Sequence, residues 1–154
     1  MEEWLVFFLK EHKMTITTAE SCTGGMVASH IVSVSGSSEV FSEGYITYSE
    51  QAKNKLLNVS MDTIKDYNVV SREVAGEMAE GAARAAGADV AVSTTGVAGP
   101  LGGTEEIPVG TVCIGCYING TIYTEKFRFD GNRKKIRKAA AEQAIQYVCG
   151  LLKQ

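Results

Sequence analysis

No apolar run in this 154-residue chain approaches the roughly 20 residues that a membrane-spanning helix needs. Basic residues are not in excess either. Fifteen Lys plus Arg face eighteen Asp plus Glu, for a formal charge of −3. A broad nucleic-acid-binding face needs a basic excess or stripe, so neither nucleic acid nor a membrane is an expected partner, although a local anion site is compatible with this charge. The opening Met-Glu-Glu has no basic region ahead of its short apolar stretch, so no secretory signal is expected and a cytoplasmic location is. Histidine is limited to His12 and His30, on separate helical segments without ligand spacing, and no metal is expected. Cys22, Cys113, Cys116 and Cys149 are then expected as reduced thiols. Cys113 and Cys116 have the C-x-x-C spacing, but they fall in a strand-like run, Val109–Ile118. Residues three apart on a strand point to opposite faces, whereas a redox pair favours a helix N-terminus. With two prolines against sixteen glycines, the chain favours tight turns and close backbone approaches over disordered linkers.

Apolar residues at 45% and charged residues at 21% are ordinary for a globular chain, and the length suits one domain. Helical character runs from Trp4 to Leu9 and ends near Lys13. A short β-rich stretch, Thr15–Ala19, precedes Glu20-Ser-Cys-Thr-Gly-Gly25 and a helix over Met26–Val34, which Thr23 is placed to cap. Gly44–Tyr48 reads as a strand, Glu50–Leu57 as a helix, and Asp62–Asp66 as a further helical turn. Ser71 is a good N-cap for an alanine-rich helix through Ala86, with Gly87 as its C′ stop. Ala88–Thr95 is a strand of the buried type and runs into a glycine-rich loop, Gly96–Pro108. Strands Val109–Ile118 and Thr121–Phe129 flank Asn119-Gly120, a strong hairpin signal. Asn132 suits the cap of a last helix, Arg133–Leu152, whose Ile136, Ala140, Ala144, Val148 and Leu152 recur at i, i+4. Short strands alternating with helices, then a hairpin, predict a single α/β domain: three α/β/α layers around a mixed sheet.

Four segments carry polar groups suited to chemistry. In Thr18-Ala-Glu-Ser-Cys-Thr-Gly-Gly25, a nucleophile between a strand and a helix would gain from free backbone N–H groups, which could also hold an oxyanion. Gly24 and Gly25 would let a substrate approach the backbone. Ser21 and Cys22 are rival nucleophiles by position. In Tyr48-Ser-Glu-Gln-Ala-Lys53, Lys53 could act as a base if burial or neighbouring positive charge lowers its pKa, with Tyr48 relaying a proton or orienting the amine. The third, Ser93 to Thr104, begins where a strand ends, the usual ligand edge of an open α/β sheet. Its glycines could form an anion nest, although it lacks the Gly-Lys-[Ser/Thr] of a P-loop. In the fourth, Arg133 at a helix start could bind a phosphate.

Together these segments resemble the C-terminal domain family of the competence/damage-inducible protein CinA. The resemblance rests on Thr18–Gly25, Gly44–Ser49 with Lys53, Thr95–Pro100, Gly102–Thr104, Pro108–Val112 and Phe129–Arg133, in family order. Stand-alone members of that family act as nicotinamide mononucleotide amidohydrolases. The resemblance therefore implies hydrolysis of a nicotinamide carboxamide to the acid with release of ammonia, with neither metal nor cofactor. It selects Ser21 as nucleophile, with Tyr48 and Lys53 as catalytic partners. It also implies a small-molecule nucleotide substrate near Gly24, Gly25, Ser38, Thr95, Gly96, Gly102, Gly103 and Thr104, with Arg133 near the phosphate. A homo-oligomer is expected, comprising only the amidase module and not the N-terminal domain of longer members. The alternative is a nucleotide-binding or regulatory module without turnover. Two positions depart from the family pattern. Ile107 stands where a lysine usually precedes the proline, removing a positive charge near the glycine loop. Asn132 stands where an aspartate usually precedes the arginine, which removes an ion-pair partner and should leave Arg133 freer or less well aimed.

Overall fold

In the computed structural model, which describes all 154 residues, these elements build one mixed sheet between two layers of helix. The strands are β1 (Ile16–Glu20), β2 (Tyr45–Ile46), β3 (Val90–Gly96), β4 (Thr111–Ile118) and β5 (Thr121–Arg128). The helices are α1 (Glu2–Glu11), α2 (Met26–Val32), α3 (Glu50–Leu57), α4 (Met61–Tyr67), α5 (Arg72–Ala86) and α6 (Arg133–Leu152). The sheet order is β2-β1-β3-β4-β5. β1 runs parallel to β2 and β3, while β3, β4 and β5 pair antiparallel. No helix is long and apolar enough to cross a membrane.

The period-two alternation of the strands divides the core. Val90, Val92, Val112, Ile114 and Cys116 face α1, α2 and α6 and pack with Leu5, Leu9, Val27, Ile31, Ile136 and Ile145. Ala19 and Ala91 face the other way, against Val74, Met78, Ala79 and Ala82 of α5 and Leu57 of α3. Cys113 and Cys116 obey the same rule. Cys113 packs with Val70 and Ala75, and Cys116 packs in the opposite layer. Both are fully buried, and burial pushes the Cys113 thiol up to about 11 and raises that of Cys116. The expected caps form at Ser71, which accepts from the Val74 N–H, and at Asn132, which accepts from the Lys135 N–H. Gly87 ends α5 at φ +64°, and Asn119-Gly120 turn the hairpin with positive φ at both residues.

Small residues let α5 lie close to its neighbours. A Cβ at Gly115 of β4 would stand 2.3 Å from the Ala75 carbonyl oxygen, and one at Gly81 only 1.8 Å from that of Leu57. The second contact fixes the end of α3, the helix that carries Lys53. The chain leaves β1 for β2 on one side and returns to β3 on the other. The C-terminal ends of β1 and β3 therefore flank a topological switch point, where open α/β sheets place their ligands.

Gly81→Ala must push α3 away from α5, because the obstacle is main chain and cannot rotate aside. The expected loss is about 3 kcal/mol, read from the midpoint of urea unfolding at unchanged slope. A midpoint within error of the parent would contradict this packing.

Candidate active site

Three chain reversals at the C-terminal ends of β1, β2 and β3 meet in a cleft of about 530 Å³, a volume typical of small-molecule sites. Ser21 directly follows β1, and its N–H donates to the Thr94 carbonyl of β3 at 3.1 Å, holding it at the crevice. Lys53 sits in the first turns of α3, whose N-cap Ser49 accepts from the Ala52 N–H at 3.0 Å. Its side chain runs inward until only 1% is exposed. There the Nζ donates to the Ser21 Oγ at 3.0 Å and to the Thr47 carbonyl at 2.8 Å. No carboxylate lies within ion-pairing distance of this amine. Burial pulls its pKa below the ordinary lysine value, and the nearby Cys22 and Glu50 oppose that only in part. The rival nucleophiles are thus unequal. Ser21 carries the bond to the amine, whereas burial pushes the Cys22 thiol up to about 11, leaving it protonated near neutrality.

Tyr48 lines the cleft but does not link Ser21 to Lys53. It is 64% exposed, and its hydroxyl accepts from Arg133 at 2.9 Å. The expected tyrosine relay is replaced by a direct serine–lysine bond. Arg133 also donates to the Gly99 carbonyl at 2.8 Å, so one guanidinium ties α6, the glycine loop and Tyr48 together across the cleft. Asn132 in place of an acid does not free this arginine, because a carbonyl and a phenol already hold it.

Thr95, Gly96, Gly102 and Thr104 line the cleft. Thr95 donates its hydroxyl to the Val69 carbonyl at 2.9 Å, and Thr104 stabilises the loop by accepting from the Ile107 N–H at 2.9 Å. Ile107, the departure from the family pattern, lines the same cleft with Val69 and Val97 as an apolar wall. Four other predicted binding residues, Ser38, Gly103, Gly24 and Gly25, lie outside the cleft lining. Ser38 is exposed on the 3₁₀ turn Ser37–Glu39. The neighbouring Val40 carbonyl accepts from Ile16 at the start of β1, about 16 Å of strand away from Ser21. Gly103 turns against Val109 and does not line the cleft. Gly24 and Gly25 do not line it either, and their positive φ values, +57° and +102°, serve the turn itself.

The turn after Ser21 is organised by Glu20, a residue whose role the sequence pattern did not disclose. Only 1% exposed, its carboxylate accepts from the Thr23 hydroxyl at 2.6 Å and from the N–H groups of Gly25, Val27 and Ala28 at 2.9–3.1 Å. Glu20, not Thr23, caps α2. The Gly24 N–H is also committed, to the Ser21 carbonyl. Of the N–H groups between Ser21 and Gly25, only those of Cys22 and Thr23 donate to no protein acceptor. Arg137 was missed as well. Its Nε donates to the Cys22 carbonyl at 2.9 Å, and its terminal nitrogen lies 3.4 Å from that of Thr23. Its position four residues after Arg133 was the available signal, since i and i+4 share a helix face. No cluster of His, Cys, Asp or Glu capable of holding a metal is present.

The model of the CinA C-terminal domain family matches residues 1–152. The chain belongs to this family. A CinA-like protein of Kosmotoga olearia is 51% identical over 148 residues, covering 96% of this chain and 36% of that protein. The chain thus spans about a third of the length of the curated relatives it matches. The crystal structure of a CinA superfamily protein from Escherichia coli superposes with a TM-score of 0.94 at 37% identity, over 97% of this chain and 87% of that one. A competence/damage inducible protein from Agrobacterium tumefaciens gives 0.94 at 35% identity, over 99% and 93%.

Removing the Glu20 carboxylate strands buried donors and uncaps α2. Glu20→Ala is expected to cost about 3 kcal/mol, measured by chemical denaturation. A loss under ~0.5 kcal/mol, the range of an ordinary surface substitution, would show that the cap contributes nothing.

Proposed function

We propose that this CinA-family domain hydrolyses the carboxamide of nicotinamide mononucleotide, releasing ammonia and leaving the carboxylic acid. One observation carries the reading: a buried lysine amine, with no carboxylate partner, lies 3.0 Å from the hydroxyl of a serine that faces the cleft. A serine hydroxyl is a weak nucleophile until a base takes its proton, and an amine whose pKa burial lowers is such a base in its neutral form.

In this reading the neutral Lys53 Nζ accepts the Ser21 proton as the Oγ attacks the carboxamide carbon. The amide oxygen becomes an oxyanion, which the unbonded N–H groups of Cys22 and Thr23 receive. Collapse expels the amide nitrogen as ammonia, and the proton it needs comes from the Lys53 ammonium. Water then attacks the resulting ester with the same amine as base, freeing the acid and Ser21. The apolar wall of Val69, Val97 and Ile107 suits the face of a pyridine ring. Arg133 keeps donors beyond its two bonds to Tyr48 and Gly99, and these suit a phosphate at the mouth.

Only the unprotonated amine works, so kcat/KM should rise with pH and level off above the Lys53 pKa, with a midpoint below the ordinary lysine value. Ammonia release from nicotinamide mononucleotide should fall at least 10³-fold in Ser21→Ala and in Lys53→Met. Cys22→Ala, which keeps the main-chain N–H, should retain turnover. Equal rates for Ser21→Ala and the parent would remove the serine. Tight nucleotide binding without ammonia release would make the cleft a binding module.

A further inference from the structure

Arg137 has an unusual set of partners for a half-buried arginine. It makes no ion pair, and its hydrogen bonds go to two main-chain carbonyls, those of Cys22 and Thr23. The space it occupies is reserved by glycine, because a Cβ at Gly24 would come within 3.1 Å of its terminal nitrogen.

The consequence follows from peptide geometry. The Cys22 carbonyl and the Thr23 N–H belong to one planar trans unit and point in opposite directions. A guanidinium fixed on the oxygen at 2.9 Å therefore fixes the direction of the N–H and strengthens it as a donor by polarising the peptide. That N–H is one of the two left uncommitted in the turn, since Thr94, Ser21 and Glu20 take the others. The Glu20 carboxylate also puts a buried negative charge beside the turn, which opposes an oxyanion, and Arg137 is the cation bonded to that turn.

We infer that Arg137 is a positioning residue for the oxyanion site: it aims and polarises the peptide that joins Cys22 to Thr23, without touching the substrate. The inference rests on the serine hydrolase reading above. It assigns α6 two tasks, with Arg133 facing the substrate and Arg137, one turn later, supporting the nucleophile turn from behind.

The test compares the parent, Arg137→Gln and Arg137→Lys in steady-state hydrolysis of nicotinamide mononucleotide and in binding of pyridine-3-boronic acid, followed by ¹¹B NMR. A serine adduct of this probe is tetrahedral and places an oxygen where the oxyanion would form. In Arg137→Gln, kcat should fall about 10- to 100-fold while KM stays within about threefold and the midpoint of the pH profile does not move. Boronate affinity should drop by a similar factor, and Arg137→Lys should recover part of both. A loss of packing alone would change melting temperature without separating kcat from KM, and Arg137→Lys, which keeps the stem and charge, carries the comparison if the glutamine variant does not fold. Parent-like kcat and boronate affinity in a folded Arg137→Gln overturn the inference and leave the serine in place. A folded parent that forms no tetrahedral adduct removes the serine reading and this inference with it.

Discussion

The cleft of this fold is built around an amine taken out of water and given no counter-charge. Burying an ammonium is costly, and proteins offset the cost with a carboxylate or by letting the group go neutral. At Lys53 there is no carboxylate, only the Thr47 carbonyl and the Ser21 hydroxyl. Burial therefore pulls the Lys53 pKa below its ordinary value and shifts the balance toward the uncharged amine. Neither His12 nor His30 lines the cleft.

The surrounding architecture holds that contact in place. The parallel strands β1 and β2 bring Ser21 and Thr47 side by side, since the Thr47 N–H continues the pairing by donating to the Glu20 carbonyl at 2.8 Å. Lys53 reaches back from α3, whose far end is set by the approach of Gly81 to Leu57. Beneath Ser21, Glu20 accepts from the N–H groups of Gly25, Val27 and Ala28 at the start of α2. The helix terminus is thus spent on its own cap, and the N–H groups of Cys22 and Thr23 are the ones next to Ser21 without a protein acceptor.

Local patterns made most of the fold legible. The caps at Ser71 and Asn132, the stop at Gly87 and the Asn119-Gly120 hairpin are decided by residues close in sequence, and all formed where expected. The split of Cys113 and Cys116 between two layers followed from strand periodicity alone. In the site, Ser21 and Lys53 came from position and from family likeness, but their direct bond spans 32 residues and no local rule gives it. The same holds for Tyr48, whose partner Arg133 is 85 residues away, and for Arg137, which meets the turn after β1 from across 115 residues. Glu20 was hidden for a different reason. A polar residue ending a strand is ordinary, and only the fold shows four donors converging on it.

The state of the buried amine can be observed directly. In protein labelled with ¹³C at lysine Cε, the Lys53 resonance, assigned by its absence in Lys53→Met, is followed across pH. It should titrate below the roughly 10.4 of a free lysine. A Lys53 that titrates at the free-lysine value would mean that the amine stays charged at neutral pH, and the proposed Ser21 nucleophile would have no base.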